Sequence, residues 1–239
     1  SLMGYKNLIA LVAQCADQRK ALSDEIKKVN INVVKGGGSA RLQPIKRGGG
    51  GGTWAAYDVM QPFNAVPINN FRPQGNALPE QLFRENVEKN YEVESNACYR
   101  CGITCHNNIY DKNEDGSRGE FLAKFDYEPL NLLGTNLGIH EAGQAARLIQ
   151  LVDNYGMDAI SMGGTLSYAL AYNERHPEQP ILNGASFGEY EKIRELIIQA
   201  GEGGLPEIGQ GSMRLSRSLG EPGYAYHVKG LEIPAYQPE

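Results

Sequence analysis

The second half of the chain carries a helical repeat of apolar residues that limits the folds open to it. In residues 139–156, IHEAGQAARLIQLVDNYG, apolar side chains recur at i, i+3, i+4 and i+7 along one helix face. Gly156 is placed to end this helix. Further helices are predicted over about 158–175, 187–200 and 208–219. Because strand signals are few, the sequence predicts a mainly α, multihelical fold with few short strands.

The first half is less regular. Residues 6–13, KNLIALVA, form an apolar run typical of a strand, and helical spacing follows over about 16–28. Residues 35–52 contain eight glycines without periodicity, which indicates a mobile loop or linker. The alternative is a phosphate-binding loop, but neither glycine run is followed by the Lys-Ser/Thr pair that such loops need.

Helices are also predicted from Trp54 and over about 79–90, where a proline precedes Glu80. The polar residues 106–120 are predicted to form a loop. Its acidic spacing briefly resembles a calcium-binding loop, but the twelfth position holds Leu122 where such loops have glutamate.

Charge and hydropathy exclude two classes of function. With 239 residues, a net charge of -5 and a pI near 5.5, the chain has no basic stripe to bind nucleic acid. The longest apolar run, Leu8 to Ala13, is far shorter than the ~20 residues of a membrane-spanning helix. No signal-peptide pattern opens the chain, so we expect a cytoplasmic protein in which clustered cysteines serve metal or redox chemistry.

Three of the four cysteines lie within one short stretch. Cys98, Cys101 and Cys105 form a CxxCxxxC pattern, which fits three ligands of an iron-sulfur cluster better than a zinc site with two CxxC pairs. The order is the reverse of the CxxxCxxC run of radical S-adenosylmethionine enzymes. Cys15 is the one other thiol, and a lone cysteine there is more often a small core residue. Zinc would need a distant histidine as its fourth ligand: His140, His176 or His227.

Three further motifs could carry chemistry. In DNYGMD, Asp153 and Asp158 flank Gly156, so both carboxylates could face one ligand, although Asp158 could equally be a helix N-cap. The segment YAYHVKGLEIP, residues 224–234, is either a site wall or a surface turn with a satisfied histidine. Glu128, in DYEP, is unremarkable by itself.

The order of these motifs is more specific than any one of them. The chain reads GYKNLIALV, GTWAAYDVMQPFNAVPINNF, CYRCGITC, DYEPLNLLGTNLGI, DNYGMDAISMGG, NGASFGEYEKIRELI, IGQGSMRLSRSLG and HVKGLEIPAY. From Met3 to its last residue this series resembles the aldehyde ferredoxin oxidoreductase family of tungsten and molybdenum enzymes. The resemblance implies oxidation of an aldehyde substrate to a carboxylic acid at a tungsten or molybdenum bis-pterin centre. Electrons would leave singly through a [4Fe-4S] cluster to ferredoxin.

The resemblance also implies a role for each matched residue. The three clustered cysteines match three ligands of the [4Fe-4S] cluster, whose fourth cysteine in the family lies beyond the matched segment. The DNYGMD residues match one of two motifs that hold the paired pterin. Glu128 matches a glutamate near the metal pocket. His227 and Lys229 match the HVKG segment, whose histidine is a candidate proton donor or acceptor beside the substrate carbonyl.

The resemblance further predicts how the chain is divided. Residues 1–2 are expected to be an expression scar, and 3–52 the end of an N-terminal domain. Residues 53–210 are expected to form a helical middle domain and 211–239 the start of a C-terminal helical domain. We therefore expect a catalytically inert fragment with both cofactors absent or incomplete. A homodimer is possible, but Arg147, Leu148, Ile149 and Gln150 stand where some members hold an interface metal with ExxH. The alternative function is a non-enzymatic module that holds structural zinc.

Overall fold

The structure is a computed structural model, and it describes residues 6–14, 21–73, 80–99 and 101–237. It is 49% helical and 12% strand, so the prediction of a mainly α fold is confirmed. The α-helices are α1 Asp24–Lys35, α2 Gly37–Arg41, α3 Ala56–Met60, α4 Arg84–Asn90, α5 Tyr127–Leu132, α6 Ala142–Asn154, α7 Ala159–Arg175, α8 Tyr190–Gly201, α9 Pro206–Gly209 and α10 Ser212–Ser218. The strands are β1 Glu92–Asn96, β2 His106–Lys112, β3 Arg118–Phe125, β4 His227–Val228 and β5 Leu231–Glu232.

Helix α7 is the centre of the core. Its residues from Met162 to Asn173 are all buried, and α5 and α10 pack against it. The approach of α5 is close enough to require glycine, because a Cβ on Gly163 would lie 2.5 Å from the carbonyl oxygen of Leu132. Helix α6 packs between β3 and α8. The sheet and the helices therefore share one hydrophobic core.

The predicted helices of the second half are confirmed, with one break. Gly156, at φ 65°, follows α6 as expected. The predicted helix over about 208–219 is divided into α9 and α10, because Gly211 adopts φ 86° between them. A left-handed residue cannot continue a right-handed helix, and glycine adopts that conformation without strain.

The predicted loop over residues 106–120 is wrong. Strands β1, β2 and β3 form an antiparallel sheet in that order, and β2 and β3 form a hairpin with its turn at 113–117. Ile109, Leu122 and Phe125 are buried on it, which compensates for the polar residues between them. The Asp115 carboxylate accepts hydrogen bonds from the Ser117 N–H and hydroxyl groups, so it closes this turn.

The N-terminal predictions are partly wrong. Residues 8–14 form no strand, and Ile9, Leu11 and Val12 are exposed. Of the helix predicted over about 16–28, residues 24–28 belong to α1, which begins at Asp24 with Ser23 as its N-cap. Residues 21–23 are not helical, and residues 15–20 lie outside the described part. The predicted glycine-rich loop contains the short helix α2 and a 3-10 turn over Ile45–Arg47.

No helix in the described ranges is both long enough and apolar enough to cross a bilayer. Leu215 and Ala235 belong to the same hydrophobic cluster as Trp54 and Leu130. The domain boundary near residue 210 stays a prediction, and the core continues across it.

Candidate functional site

The cysteines lie on a loop between β1 and β2. Its base is closed where Asn96 pairs with His106 across the two strands, and the Cys101 N–H donates to the Cys98 carbonyl at 2.9 Å. All three thiols are free; Cys98 and Cys101 are exposed and Cys105 is partly buried. In the part of the chain that the structure describes, no three His, Cys, Asp or Glu side chains are already close enough to hold a metal ion. Cys15 falls among the residues that are not described.

The glycine-rich segment supports the back of this loop. The Thr53 N–H donates to the Cys105 carbonyl at 2.8 Å, and the Thr53 hydroxyl contacts Oδ1 of Asp126 at 3.2 Å. The Gln43 amide donates to the Gly102 carbonyl at 3.2 Å. A Cβ on Gly52 would lie 2.6 Å from the Cys105 carbonyl oxygen, so this position requires glycine.

One ion pair lies beside the cysteine loop. The Lys124 ammonium is 3.2 Å from Oδ2 of Asp126, at the end of β3. Burial raises the pKa of the Cys105 thiol, and the negative charge of Asp126 raises it further. The pKa of Asp153 is also raised, chiefly by burial and then by Asp126, although Lys124 acts in the opposite direction. The ion pair is therefore the electrostatic neighbour of both the cysteines and the DNYGMD motif.

The two aspartates of DNYGMD differ in their surroundings. Oδ1 of Asp158 accepts from the Ser161 N–H at 2.7 Å, so Asp158 is the N-cap of α7. Asp153 lies in the last turn of α6 and makes no side-chain hydrogen bond to the described residues. The left-handed turn at Gly156 separates them. Asp158 thus has a structural role, whereas the Asp153 carboxylate is open to a ligand.

Glu128 lies in a cleft of about 540 Å³. Its Oε2 accepts a hydrogen bond from the Ala235 N–H at 2.6 Å. Burial raises the pKa of Glu128, although the hydrogen bond from Ala235 acts in the opposite direction. A carboxylate with a raised pKa is a stronger base, which suits it to accept and return a proton. The walls of the cleft are mostly apolar, formed by Leu42, Ala55, Ala56, Val59, Met60, Tyr127, Pro129 and Tyr236.

The HVKG segment is the turn of the β4–β5 hairpin. Lys229 and Gly230 occupy the turn at φ 54° and 89°, and the Gly230 N–H donates to Nδ1 of His227 at 3.3 Å. This is the arrangement of a surface turn with a satisfied histidine. No hydrogen bond between described residues joins His227 to Glu128; the chain reaches the cleft eight residues further on, at Ala235.

The residues that connect the motifs lie within the quoted sequence blocks but were given no role. Thr53 and Asp126 line the cleft, and both also contact or influence Cys105. Tyr236 was included in the HVKGLEIPAY block but was given no role. A polar residue just before a helix is a weak sequence signal, so Asp126 could have been noted as the N-cap position of α5.

Comparison with known proteins identifies the family of the chain. Residues 43–239 match the family described as "Aldehyde ferredoxin oxidoreductase, domains 2 & 3". The chain belongs to the aldehyde ferredoxin oxidoreductase family. The resemblance stated from the sequence is thereby confirmed, and the parent family is one of oxidoreductases.

Three relatives from two organisms illustrate the degree of similarity. The tungsten-containing aldehyde ferredoxin oxidoreductase of Pyrococcus furiosus is 29% identical over 253 residues, covering 100% of this chain and 40% of that protein. That of Thermococcus kodakarensis is 26% identical with the same coverage. The WOR-like subunit of an aliphatic sulfonate oxidoreductase of P. furiosus is 26% identical over 99% of this chain. The chain therefore spans about 40% of the length of these relatives.

The donor atoms fit the cofactors that the family implies. Three free thiols on one anchored loop suit three corners of an iron-sulfur cluster, and the described residues add no further cysteine. The open Asp153 carboxylate suits the N–H donors of a pterin. Asp158 fits less well, because one of its oxygens is already used at the helix N-cap.

Proposed function

We propose that the chain contributes to an oxidoreductase that converts aldehydes to carboxylic acids. When bound, a tungsten or molybdenum pterin centre supplies two-electron oxidation, and a [4Fe-4S] cluster passes the electrons one at a time to ferredoxin. Relatives over the whole chain are named as tungsten enzymes, which favours tungsten. A cytoplasmic location is part of the same proposal.

One observation supports this proposal: the same residues line the cleft and contact the cysteine loop. Thr53 and Asp126 line the cleft that holds Glu128, while the Thr53 N–H holds the Cys105 carbonyl. An electron-transfer group on the loop and a proton-exchanging group in the cleft are therefore neighbours. This is the arrangement that coupled electron and proton removal from one substrate needs.

Each residue then has a distinct task. Cys98, Cys101 and Cys105 bind the cluster. The Asp153 carboxylate faces the pterin, and the turn at Gly156 lets the backbone approach it. Glu128 exchanges a proton with the substrate side of the cleft, whose apolar walls exclude water. His227 and Lys229 are assigned by family resemblance as a second proton-exchanging group and a cofactor contact.

The chain by itself is expected to be inactive, because three cysteines and one pterin motif supply only part of what the family uses. The functional test therefore uses the product of the complete open reading frame, purified without oxygen. We expect iron, sulfide and tungsten or molybdenum, and aldehyde-dependent reduction of a viologen dye that Glu128→Gln abolishes. Full activity in Glu128→Gln would contradict the role of Glu128.

The second candidate is a zinc-binding module, favoured by the exposure of Cys98 and Cys101 on a surface loop. Elemental analysis of the 239-residue chain distinguishes the two functions. Tightly held stoichiometric zinc in a colourless protein would support the module. A brown protein with broad absorption in the blue after treatment with iron and sulfide would support the cluster, and C98S should lose that colour.

A further inference from the structure

Positive charge is concentrated in the part of the chain that supports the cysteine loop. The whole chain has a net charge of -5, but the stretch from Ile26 to Tyr57 contains six Lys or Arg residues and no Asp or Glu. This stretch includes α1, α2 and the glycine-rich residues. Four of its exposed cations lie between the end of α1 and the glycines, and together they are called the basic edge: Lys35, Arg41, Lys46 and Arg47.

The backbone that carries the basic edge is in contact with the cysteine loop. The Thr104 hydroxyl donates to the Leu42 carbonyl at 3.3 Å. On the side of α1, a Cβ on Gly102 would lie 2.4 Å from Cγ2 of Val34, so the helix and the loop are tightly packed there. Leu42 and Val34 are each next to a cation of the basic edge. The basic edge therefore borders the loop on which two thiols are exposed.

The charge of the basic edge is not neutralised by nearby acids. Among the described residues, none of its four cations is within 4.0 Å of a carboxylate oxygen. Three carboxylates line the same surface cavity of about 470 Å³ as Lys46 and Arg47; they are Glu88, Glu92 and Glu94. Each of these carboxylates is already paired with another arginine, either Arg84 or Arg118. The basic edge therefore presents positive charge to an incoming partner.

We propose that the basic edge is the docking surface for an acidic one-electron carrier protein. The inference rests on the proposed function, which identifies this carrier as a ferredoxin. Ile45 is 51% exposed next to Lys46 and supplies an apolar contact within the charged surface. Complementary charge accelerates association and orients the partner without requiring a tight complex. Such binding suits a carrier that must approach the cysteine loop, take up one electron and leave.

Nucleic acid is the less favoured occupant of the same surface. An extended polyanion would also face the rest of this chain, which carries a net negative charge. A small acidic protein contacts only the basic edge and the exposed loop beside it. The position of the positive charge next to Cys98 and Cys101 thus favours a redox partner.

The test measures binding of an acidic [4Fe-4S] ferredoxin, in its oxidised form, to the 239-residue chain by surface plasmon resonance at low ionic strength. We expect the double variant Lys46→Glu, Arg47→Glu to weaken binding at least about tenfold. The milder pair Lys46→Gln, Arg47→Gln should weaken it less. Raising the ionic strength to about 0.15 M, where the Debye length is about 8 Å, should also weaken binding to the unchanged chain.

The matched control is Arg214→Glu, Arg217→Glu, which makes the same change in net charge at two exposed positions of α10. We expect this control to change the affinity by less than about twofold, because charges farther than a Debye length from the partner are screened. The proposal would be overturned by absence of ferredoxin binding or by equal losses in the two charge reversals. Tighter binding of a single-stranded oligonucleotide to the basic edge would overturn it as well.

This binding needs neither metal nor substrate, so it is judged separately from the proposed function. In the product of the complete reading frame, Lys46→Glu, Arg47→Glu should lower aldehyde-dependent reduction of ferredoxin far more than that of a viologen dye, since a small dye needs no docking surface. Equal losses with both acceptors would contradict the docking role. Absence of aldehyde oxidation in the unchanged product would contradict the proposed function, and the binding measurement would still decide the docking.

Discussion

The backbone N–H of Thr53 donates a 2.8 Å hydrogen bond to the carbonyl oxygen of Cys105, 52 residues later in the chain. Gly52 precedes it at φ 86° and leaves no room for a side chain, because a Cβ would lie 2.6 Å from that same oxygen. The end of the glycine-rich segment is thus part of the support of the cysteine loop.

Gly52→Ala is therefore expected to destabilise the protein more than Gly48→Ala. Both glycines have positive φ, so each alanine costs about 1–2 kcal/mol of backbone strain. Gly48 has no atom within 4 Å of its added Cβ, whereas Gly52 also meets the Cys105 carbonyl. Urea unfolding measures both variants, and equal midpoints for the two would show that the contact with Cys105 has no effect on stability.

The two aspartates of DNYGMD should differ in their contribution to folding. Asp158→Ala removes the N-cap of α7 and is expected to lower the free energy of unfolding by about 1 kcal/mol. Asp158→Asn should keep most of the wild-type free energy of unfolding, since asparagine is an equally good N-cap. Asp153→Ala should change the free energy of unfolding by less than about 0.5 kcal/mol. A loss of stability in Asp153→Ala as large as that in Asp158→Ala would contradict the assignment of the structural role to Asp158.

Stability should depend on pH through Glu221. Burial opposes ionisation of this group, but hydrogen bonds from Arg175 at 2.6 Å and with His176 at 2.6 Å outweigh it and lower its pKa. Because the folded pKa is below the unfolded one, the stabilisation is present at neutral pH and is lost as the pH falls through the folded pKa. Thermal unfolding of Glu221→Gln should show a deficit of about 1 kcal/mol at pH 7.

The deficit of Glu221→Gln should shrink in acid and disappear once the pH is below the lowered pKa of Glu221, where the native carboxyl is protonated as well. Lys192 and Glu189 form an exposed pair that provides a control, since Glu189→Gln is expected to change stability by less than about 0.5 kcal/mol. A Glu221 deficit that persists unchanged in acid would indicate a packing effect rather than a charge effect.

The three thiols should react at different rates in the metal-free chain. Cys105 is the least exposed, and burial and Asp126 raise its pKa, so less of it is thiolate at neutral pH. Alkylation with iodoacetamide, followed by mass spectrometry of peptides, should modify Cys105 last. Asp126→Asn should accelerate its modification, whereas faster reaction of Cys105 than of Cys98 in the native chain would contradict this ranking.

The sequence predicted those elements whose apolar spacing is regular. Helices α6 and α7 carry an uninterrupted pattern and clear end signals, at Gly156 for α6 and at Asp158 for α7, so their positions were predictable. The β2–β3 hairpin was missed because its buried residues alternate with Asn, Asp and Lys, and the polar composition resembled a loop. The apolar run at 6–13 was taken for a strand, but a strand also needs a partner, which local pattern does not reveal.

The site was predictable only as separate motifs. The cysteines, Asp153, Glu128 and His227 could each be identified by residue type and by family resemblance. Their spatial relation depends on Thr53, Asp126 and Tyr236, which contact residues far away in sequence. Long-range contacts of ordinary polar residues leave no local pattern, so these connections became visible only in the folded chain.

The 107 residues that separate Ala235 from Glu128 also set an order of events during synthesis. A ribosome adds roughly 5–20 residues per second. Glu128 therefore leaves the ribosome several seconds before the β4–β5 hairpin and before Ala235, whose N–H binds its carboxylate. The cysteine loop, supported from its N-terminal side by Thr53, can be complete by then. The nascent chain therefore exposes its three clustered thiols before the cleft exists.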